Sequence, residues 1–421
     1  MVQNCGSNAS VTYPIQLTVS FDFTSGPSFD PPFLIGISQL GIGVMGAGGT
    51  ASQVVDLTSQ TISINIRRGR DLTQDKFNPG TATVRVIDPN GDWNPQNPAS
   101  PYFGLLQPLR KLVVAGTYNA VTYPLFAGYT LAYNYTYPTN EEFGYVDIQC
   151  TDAFTLFNKS AVTTVTGATA GQTTGTRITE ILDQIGFPGG QRVLDTGDIT
   201  VQADPGTLRT VLQALQDVEF TEYGAVYMDA RGDVVFRERT DLVDALAASP
   251  TVFNQTTGIP YKNLKFAFDD KLIFNVANFT RVGGTMQTHT DQDSIDTYFP
   301  HAITKENLLH ETDAATLDLA KAYVANRSVT DIRIDAMSLD LTTPNYQAGI
   351  EAALGLDFLS PVEISNDQPG GSTITKTLQI FGVQHQITPR SWLTTFTTSE
   401  PILTGFIIGN STYGIIGQSR L

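Results

Sequence analysis

Charged and metal-binding side chains are scarce in this chain. Only 16% of its residues are charged, against about 25% in ordinary soluble domains. Its polar surface must then come from Thr, Ser, Asn and Gln, which suit strands and turns better than helices. The only cysteines are Cys5 and Cys150. At most one disulfide can form, and neither a stapled framework nor a CxxC metal cluster is available. The four histidines, His289, His301, His310 and His385, fall in no H-E-x-x-H and beside no nucleophile signature. His310 and His385 read as surface or structural residues. Basic residues do not occur before Arg67, so a signal peptide is not expected. The longest apolar stretch, 33–45, is broken by Ser38 and Gln39 and is shorter than the ~20 residues of a membrane-spanning helix.

Apolar residues, at 41% of 421, are ample for real cores, and 37 Gly and 22 Pro make the connections many and tight. The net charge is −16, from 25 basic and 41 acidic residues. A surface of that sign repels nucleic acid. It serves solubility, or forms a wall past which DNA slides without sticking.

Alternation at period two marks the strands. Ile15, Leu17, Val19, Phe21 and Phe23 alternate, as do Ile62, Ile64 and Ile66, and then Ala82, Val84 and Val86. Further strands are expected in "RKLVVAGTY", "VTYPLFAGYTLAYNY" and "EFGYVDIQCTDAF". Near residue 160 the pattern changes. "TRITEILDQIGF" places Ile178, Ile181, Leu182 and Ile185 on one helical face, with Thr176 as N-cap and Gly186 as stop. "GTLRTVLQALQDVEF" repeats the pattern with Leu208, Val211, Leu212, Leu215 and Val218, and a hairpin turns at Asp229–Asp233. From 255 strands return. One helix follows Thr312, and the segment with Gly349 and Gly355 reads as a loop.

Several motifs tempt a functional reading. Gly41 to Gly46, "GIGVMG", matches the G-x-G-x-x-G dinucleotide fingerprint. The fingerprint needs a strand before it, a helix after it and an acidic residue about 20 positions on. Here "AGGTASQVV" follows, which is poor helix material, so no cofactor is assigned. The longer phrase 33–42, "FLIGISQLGI", instead matches 406–415, "FIIGNSTYGI". Two copies at opposite ends suggest arms that add to a sheet edge of their own or a neighbouring subunit. Phe33, Ile35, Leu40, Phe406, Ile408 and Tyr413 are the subunit-interface candidates. Asp88, Asn90 and Asp92 alternate like the start of a calcium loop. Glycine at the fourth position and Ala99 at the twelfth break the EF-hand pattern, so a strand-ending turn is expected and the metal is at most a weak candidate. The basic run "RRGR" at 67–70 is expected to pair with acidic neighbours, across a subunit contact or within the chain, rather than with DNA. Glu141-Glu142 and Asp269-Asp270 are adjacent and read as solvated turn carboxylates. No catalytic constellation emerges.

A resemblance adds to this. Gly69-Arg70, Gly80 to Val84, Asp88 to Trp93, Asn97 to Tyr102, Pro108 to Lys111 and Tyr123 to Gly128 follow one another as in the minor tail proteins of long-tailed bacteriophages. "RITEILDQIGFP" and "GAVYMDARGDVVFRER" resemble their α/β insertion; "AALGLDFLSPVEI" and "VQHQITPRSWLTTFTTS" resemble their last barrel strands. The resemblance implies a mainly β fold: two β-barrel-like tail-hub domains with an intervening α/β domain. The expected division is an N-terminal β arm region (1–60), a first barrel-like domain (61–165), the α/β domain (166–250), a second barrel-like domain (251–403) and a C-terminal arm (404–421). It implies a non-enzymatic virion protein at the tail tip, made in the host cytoplasm. Three copies would form a ring with quasi-sixfold symmetry. Implied partners are the tail tube or distal tail protein, a central fibre or spike and the tape measure protein, with DNA passing without specific binding. The alternative is a hexameric distal tail or receptor-binding protein.

Overall fold

The computed structural model describes residues 14–23, 54–137, 144–343 and 346–401. The Gly41–Gly46 motif, both copies of the repeated phrase with all six interface candidates, and Glu141-Glu142 lie outside them.

The fold is mainly β, and its centre is one large sheet. Its strands are β1 (Gln16–Asp22), β2 (Val54–Asp56), β3 (Thr61–Asp71), β4 (Lys76–Ile87), β5 (Lys111–Tyr118), β6 (Val121–Thr136), β7 (Tyr145–Thr151), β8 (Thr251–Phe253), β9 (Lys262–Ala267), β10 (Arg333–Asp340), β11 (Pro361–Asp367), β12 (Thr373–Thr388) and β13 (Ser391–Ser399). They run in the order β9-β10-β13-β12-β3-β4-β7-β6-β5-β1-β2, with β8 and β11 branching from β12. The periodicities of β3 and β4 hold over most of their length, although Ile62 is exposed and β1 buries both faces from Val19 to Asp22. Ile64 and Ile66, and Ala82, Val84 and Val86, are buried, while their neighbours are half-buried or exposed.

The two β regions are not separate in this sheet. β3 and β12 pair antiparallel from Ile64↔Ile387 to Gly69↔Gly382, joining residues more than 300 positions apart. At the end of that ladder the backbones come close: a Cβ on Gly69 would lie 3.1 Å from the Gly382 Cα. The first half of β12 pairs instead with β11. The sheet curls around its core. A Cβ on Gly116 of β5 would sit 3.2 Å from both Ile15, just before β1, and Trp392 of β13. The terminal strands β2 and β9 are not paired with each other among the described residues, so the barrel-like expectation is met as a curled sheet with no barrel closure detected.

Among the described residues seven α-helices accompany it: α1 (Ala153–Lys159), α2 (Thr174–Gln184), α3 (Val211–Glu222), α4 (Arg239–Asp244), α5 (Gln292–Tyr298), α6 (Asp313–Arg327) and α7 (Gln347–Gly355). Thr312 caps α6 as expected, its side chain accepting from Ala315 N. α2 starts earlier than read: Thr173, not Thr176, is its N-cap, and its hydroxyl accepts from Thr176 N. α3 starts later, capped by Thr210. This leaves Leu208 outside the helix and 74% exposed. The segment read as a loop around Gly349 is α7, where Ile350, Ala353 and Leu354 bury a short helical face. The hairpin is present: Ala225–Met228 pairs with Val234–Arg237.

The "DPNGDWNP" turn closes over an aromatic cluster. Trp93 is buried among Phe21, Phe23, Tyr102 and Tyr133, with ring centroids 5.2–6.0 Å away. The Asp88 carboxylate accepts from Asp92 N at 2.7 Å, Trp93 N at 3.1 Å and the Tyr137 hydroxyl at 2.7 Å. Its oxygens are committed to shaping the turn.

The backbone is strained at Phe299. Phe299 follows α5 with φ 71° and ψ 162°, a region that suits glycine almost exclusively. Buried Asn275 holds it there: its Nδ2 donates to the Phe299 carbonyl at 2.9 Å and its Oδ1 accepts from His301 N at 2.7 Å. The phenyl ring is 79% exposed. Phe299→Gly therefore loses little packing and relieves the strain. Strain of about 1–3 kcal/mol, less the chain-entropy penalty of glycine, about 0.5–1 kcal/mol, predicts a gain of about 1 kcal/mol. A urea midpoint that falls rather than rises would count against the strain.

Candidate functional surface and the junction that holds it

The "RRGR" run divides along the pleat of β3. Arg68 points inward and is buried; its guanidinium donates to both carboxylate oxygens of Asp357, at 2.8 and 3.3 Å, and lies over the Phe358 ring. Arg70 also lies inside and pairs with Asp75 at 3.1 Å. These two arginines pair within the chain, as the acidic-neighbour reading expected. Arg67 is exposed and has no carboxylate at ion-pair distance among the described residues.

Asp75 is the centre of this junction. It sits in the tight turn between β3 and β4 and is buried. Its carboxylate accepts from the Tyr323 hydroxyl at 2.7 Å and from Arg327 at 2.8 Å, both on α6. Lys305 Nζ donates to the Gln74 carbonyl at 3.0 Å. Burial alone would raise the Asp75 pKa, but Arg327, Arg70 and the Tyr323 hydroxyl together hold it below the usual carboxylate range. Tyr323 in turn packs against Phe220 of α3 and against Tyr223, 5.9 and 5.7 Å between centroids. A second aromatic group, Phe77 of β4, Tyr227 of the hairpin and Phe358, meets at 5.0–5.3 Å. The first β region, the α/β segment and the second β region thus converge on one set of buried charges and rings.

Glu219 lies on the same side of α3 and is buried. It accepts from Val226 N at 3.0 Å. Burial pushes its carboxyl up to about 7, against the opposing influence of Arg70 and that hydrogen bond. The histidines read as surface or structural prove buried. Burial drives His310 down to about 4 and His385 to about 3, and His385 Nδ1 bonds the Thr394 hydroxyl at 2.9 Å. Asp269 and Asp270 point to different partners, Arg333 at 2.8 Å and His301 at 3.6 Å.

What this junction supports is a broad outer sheet face. Residues opposite one another across a ladder share a face, and the pairings trace that face through eight strands. Asn134 faces Asp147, which faces Arg85, which faces Ser63. One row along, Gln149 faces Thr83, then Asn65, then Gln386, then Leu393. Beyond these, Arg67 faces Gln384, which faces Thr395, then Ser338, then Lys262. This is the scarcity of charge made spatial: the face is mostly Thr, Ser, Asn and Gln. Its charged positions are Arg67, Arg85, Lys262, Lys265, Asp147 and Asp340, and Asp71 opposite Lys76 adds one of each sign. Glu363 and Asp367 of the adjoining β11 lie on the same face, so positive and negative positions balance there, on a chain whose total is −16. Arg85 grips Asp147 through two bonds of 2.7 and 2.8 Å, and Lys262 meets Asp340 at 2.8 Å. Sequence reading missed this face because its strands come from both ends of the chain. Asp88, Asn90 and Asp92 lie in the turn over Trp93, and no group of three or more His, Cys, Asp or Glu with metal-holding geometry occurs among the described residues.

Neither a protein-family model nor a curated protein matches the sequence. Solved structures do match. The 43 kDa tail protein of prophage MuSo2 from Shewanella oneidensis superposes with a TM-score of 0.56 at 13% identity, over 92% of this chain and 99% of that one. The tail protein from Neisseria meningitidis MC58 gives 0.54 at 10% identity, over 83% and 95%. The chain has the fold of these phage tail proteins, along nearly its whole length.

Asp75→Ala leaves Arg70 and Arg327 buried without their carboxylate, and should lower stability by about 3–5 kcal/mol in urea unfolding. The pH dependence has two limbs. The Asp75 pKa is depressed, so its contribution is present above the ordinary value of 3.8 and is lost as pH falls through the lower folded value. The Glu219 pKa is raised, so its contribution is complete below the ordinary 4.5 and is lost as pH rises through about 7. The melting temperature should therefore climb as pH drops from about 8 to 5 and fall again below about 4. Glu219→Gln should raise the melting temperature at pH 8 and leave it unmoved at pH 4; equal shifts at both would refute the assignment.

Proposed function

We propose that this chain is the structural hub protein of a phage tail tip. The observation that carries the reading is the end-to-end fold likeness to two phage tail proteins. The order of the tail-protein phrases along the sequence agrees with it.

In this reading the protein works mechanically and not as an enzyme. Three copies form a ring. The β regions 61–165 and 251–403, two per copy, present a quasi-sixfold surface to the tail tube or distal tail protein, with 166–250 between them. The ring holds a central fibre or spike on its other side, meets the tape measure protein and surrounds the path of the ejected DNA. The junction around Asp75 suits this task. It locks three chain segments into one body, so that load at one surface reaches the others without shearing the sheet. The terminal segments, with Phe33, Ile35, Leu40, Phe406, Ile408 and Tyr413, would act as arms that join copies.

One observation favours the other reading. Tyr135 and Tyr137 form an exposed ring pair at the end of β6, with centroids 5.7 Å apart, which is a feature a receptor-binding tail component would use for sugars.

Electron microscopy of the purified full-length protein tests the proposal. A ring of three is expected. A ring of six would transfer the reading to the distal tail alternative, and isolated monomers at micromolar concentration would overturn both. Removal of 404–421 should convert the ring to smaller species in light scattering; an unchanged assembly would sink the arm reading.

A further inference from the structure

Asparagine followed directly by glycine occurs once in the chain, at Asn90-Gly91. The pair stands at the crown of the turn that closes over Trp93. Asn90 is exposed, and no hydrogen bond holds its side-chain amide among the described residues. Gly91 takes φ 71°, a conformation that suits glycine. A Cβ added to it would meet only the Asn97 amide, at 3.8 Å, so the space beside the pair is open.

The chemistry open to such a pair is intramolecular, and asparagine is among the thermolabile residues. The Gly91 backbone nitrogen, once deprotonated, attacks Cγ of Asn90. A C–N bond forms there, the side-chain amide nitrogen takes up a proton and leaves as ammonia, and a succinimide ring closes. Water then opens the ring at either carbonyl. Opening at one gives aspartate and at the other isoaspartate; one water is consumed and one ammonia released. A side chain on the following residue would hinder the attack, and glycine has none.

What the product does to the fold follows from the bonds that bracket the pair. The Asp88 carboxylate reaches across it to Asp92 N and Trp93 N, at 2.7 and 3.1 Å. Beyond it, Asn97 Nδ2 and Asn94 N donate to the Gly91 carbonyl, at 3.0 and 3.2 Å. Isoaspartate carries the main chain through Cβ and Cγ, one carbon longer than aspartate does. These short bonds cannot all span the longer chain. Trp93 depends on them for its cover, and the rings of Phe21 in β1 and Phe23 just after it each lie 5.7 Å from Trp93 between centroids. We propose that Asn90 is a site of spontaneous deamidation, and that its isoaspartate form loosens the turn over Trp93 and with it the packing of β1.

The test is peptide mapping by mass spectrometry after the folded full-length protein has stood at mildly alkaline pH. The peptide that carries residue 90 should gain one mass unit, as NH2 gives way to OH. The gain should divide between two chromatographic peaks, and the isoaspartate peak should accept a methyl group from protein isoaspartyl methyltransferase. The rate should rise with hydroxide concentration, since the attacking nitrogen must first lose its proton. Tryptophan emission should move to the red in step with isoaspartate. Asn90→Gln, whose ring closure is far slower, should keep both its mass and its emission. Fresh Asn90→Asp carries the charge without the extra carbon and should emit as the fresh wild type does. Both changes are at an exposed side chain without a bond, so melting temperatures should hold. Folded protein that keeps its mass at residue 90, under conditions where the urea-unfolded chain gains it, overturns the site. Isoaspartate without a red shift overturns the structural consequence, as does an equal shift in fresh Asn90→Asp.

Discussion

A buried carboxylate with two arginines and a tyrosine is the constraint on which this architecture depends. Asp75 is carried by the four-residue reversal, 72–75, between two long strands, and it is buried. An isolated carboxylate there would be strongly unfavourable. It is tolerable only because Arg70 comes from the preceding strand and Arg327 and Tyr323 from a helix some 250 positions on. Removal of any partner leaves the others stranded, so the group forms as a unit or not at all. Its partners sit on different chain segments, so the interaction that satisfies the charge also fixes how the segments meet. Hydrophobic burial around Phe77, Tyr227 and Phe358 supplies most of the driving force there. The ionic group supplies direction, since charges that must find particular partners permit few alternative packings.

That rigid junction leaves the molecule with one sheet whose two faces have opposite roles. The inner face carries Ile64, Ile66, Val84, Val383 and Trp392 into the core. The outer face carries many uncharged polar side chains, among them Thr83, Asn65, Gln386 and Thr395. A strand can do both at once because successive side chains point to opposite sides. Arg67, Arg68 and Arg70 illustrate this. Three cations within four residues have two unrelated fates, and the pleat decides which is which. The strained Phe299 and the exposed Tyr135 ring lie elsewhere on the surface.

Much of this was legible in the sequence where the signal is local. Period-two alternation located the strands of the large sheet on either side of the α/β segment, since half-buried strands must alternate. Thr312 identified the start of α6, because a hydroxyl before a helical stretch satisfies its free N–H groups. The readings failed where local signals compete. Gly349 and Gly355 suggested a loop, yet Ile350, Ala353 and Leu354 gain more from burial as α7 than the glycines lose. Leu208 fitted the period of α3, but Thr210 is the better cap and leaves it outside. Asp88, Asn90 and Asp92 looked like ligands because oxygen-rich turns and cation loops share a composition. Only the geometry shows the Asp88 oxygens turned towards backbone N–H groups and Tyr137.

By itself, then, the sequence determined the class of the fold, the faces of its strands and the absence of charge that makes its surface unusual. These depend on neighbours within a few residues. Tertiary structure alone decided that the two β regions form a single curled sheet, that the basic run splits between core and surface, and that the polar side chains of eight strands gather into one face. Each of those outcomes requires residues hundreds of positions apart to meet, as Gly69 does with Gly382 and Asp75 with Arg327. Chain-local propensity carries no information about such meetings. They are set by which long-range pairings bury the most apolar surface while satisfying the charges they bury.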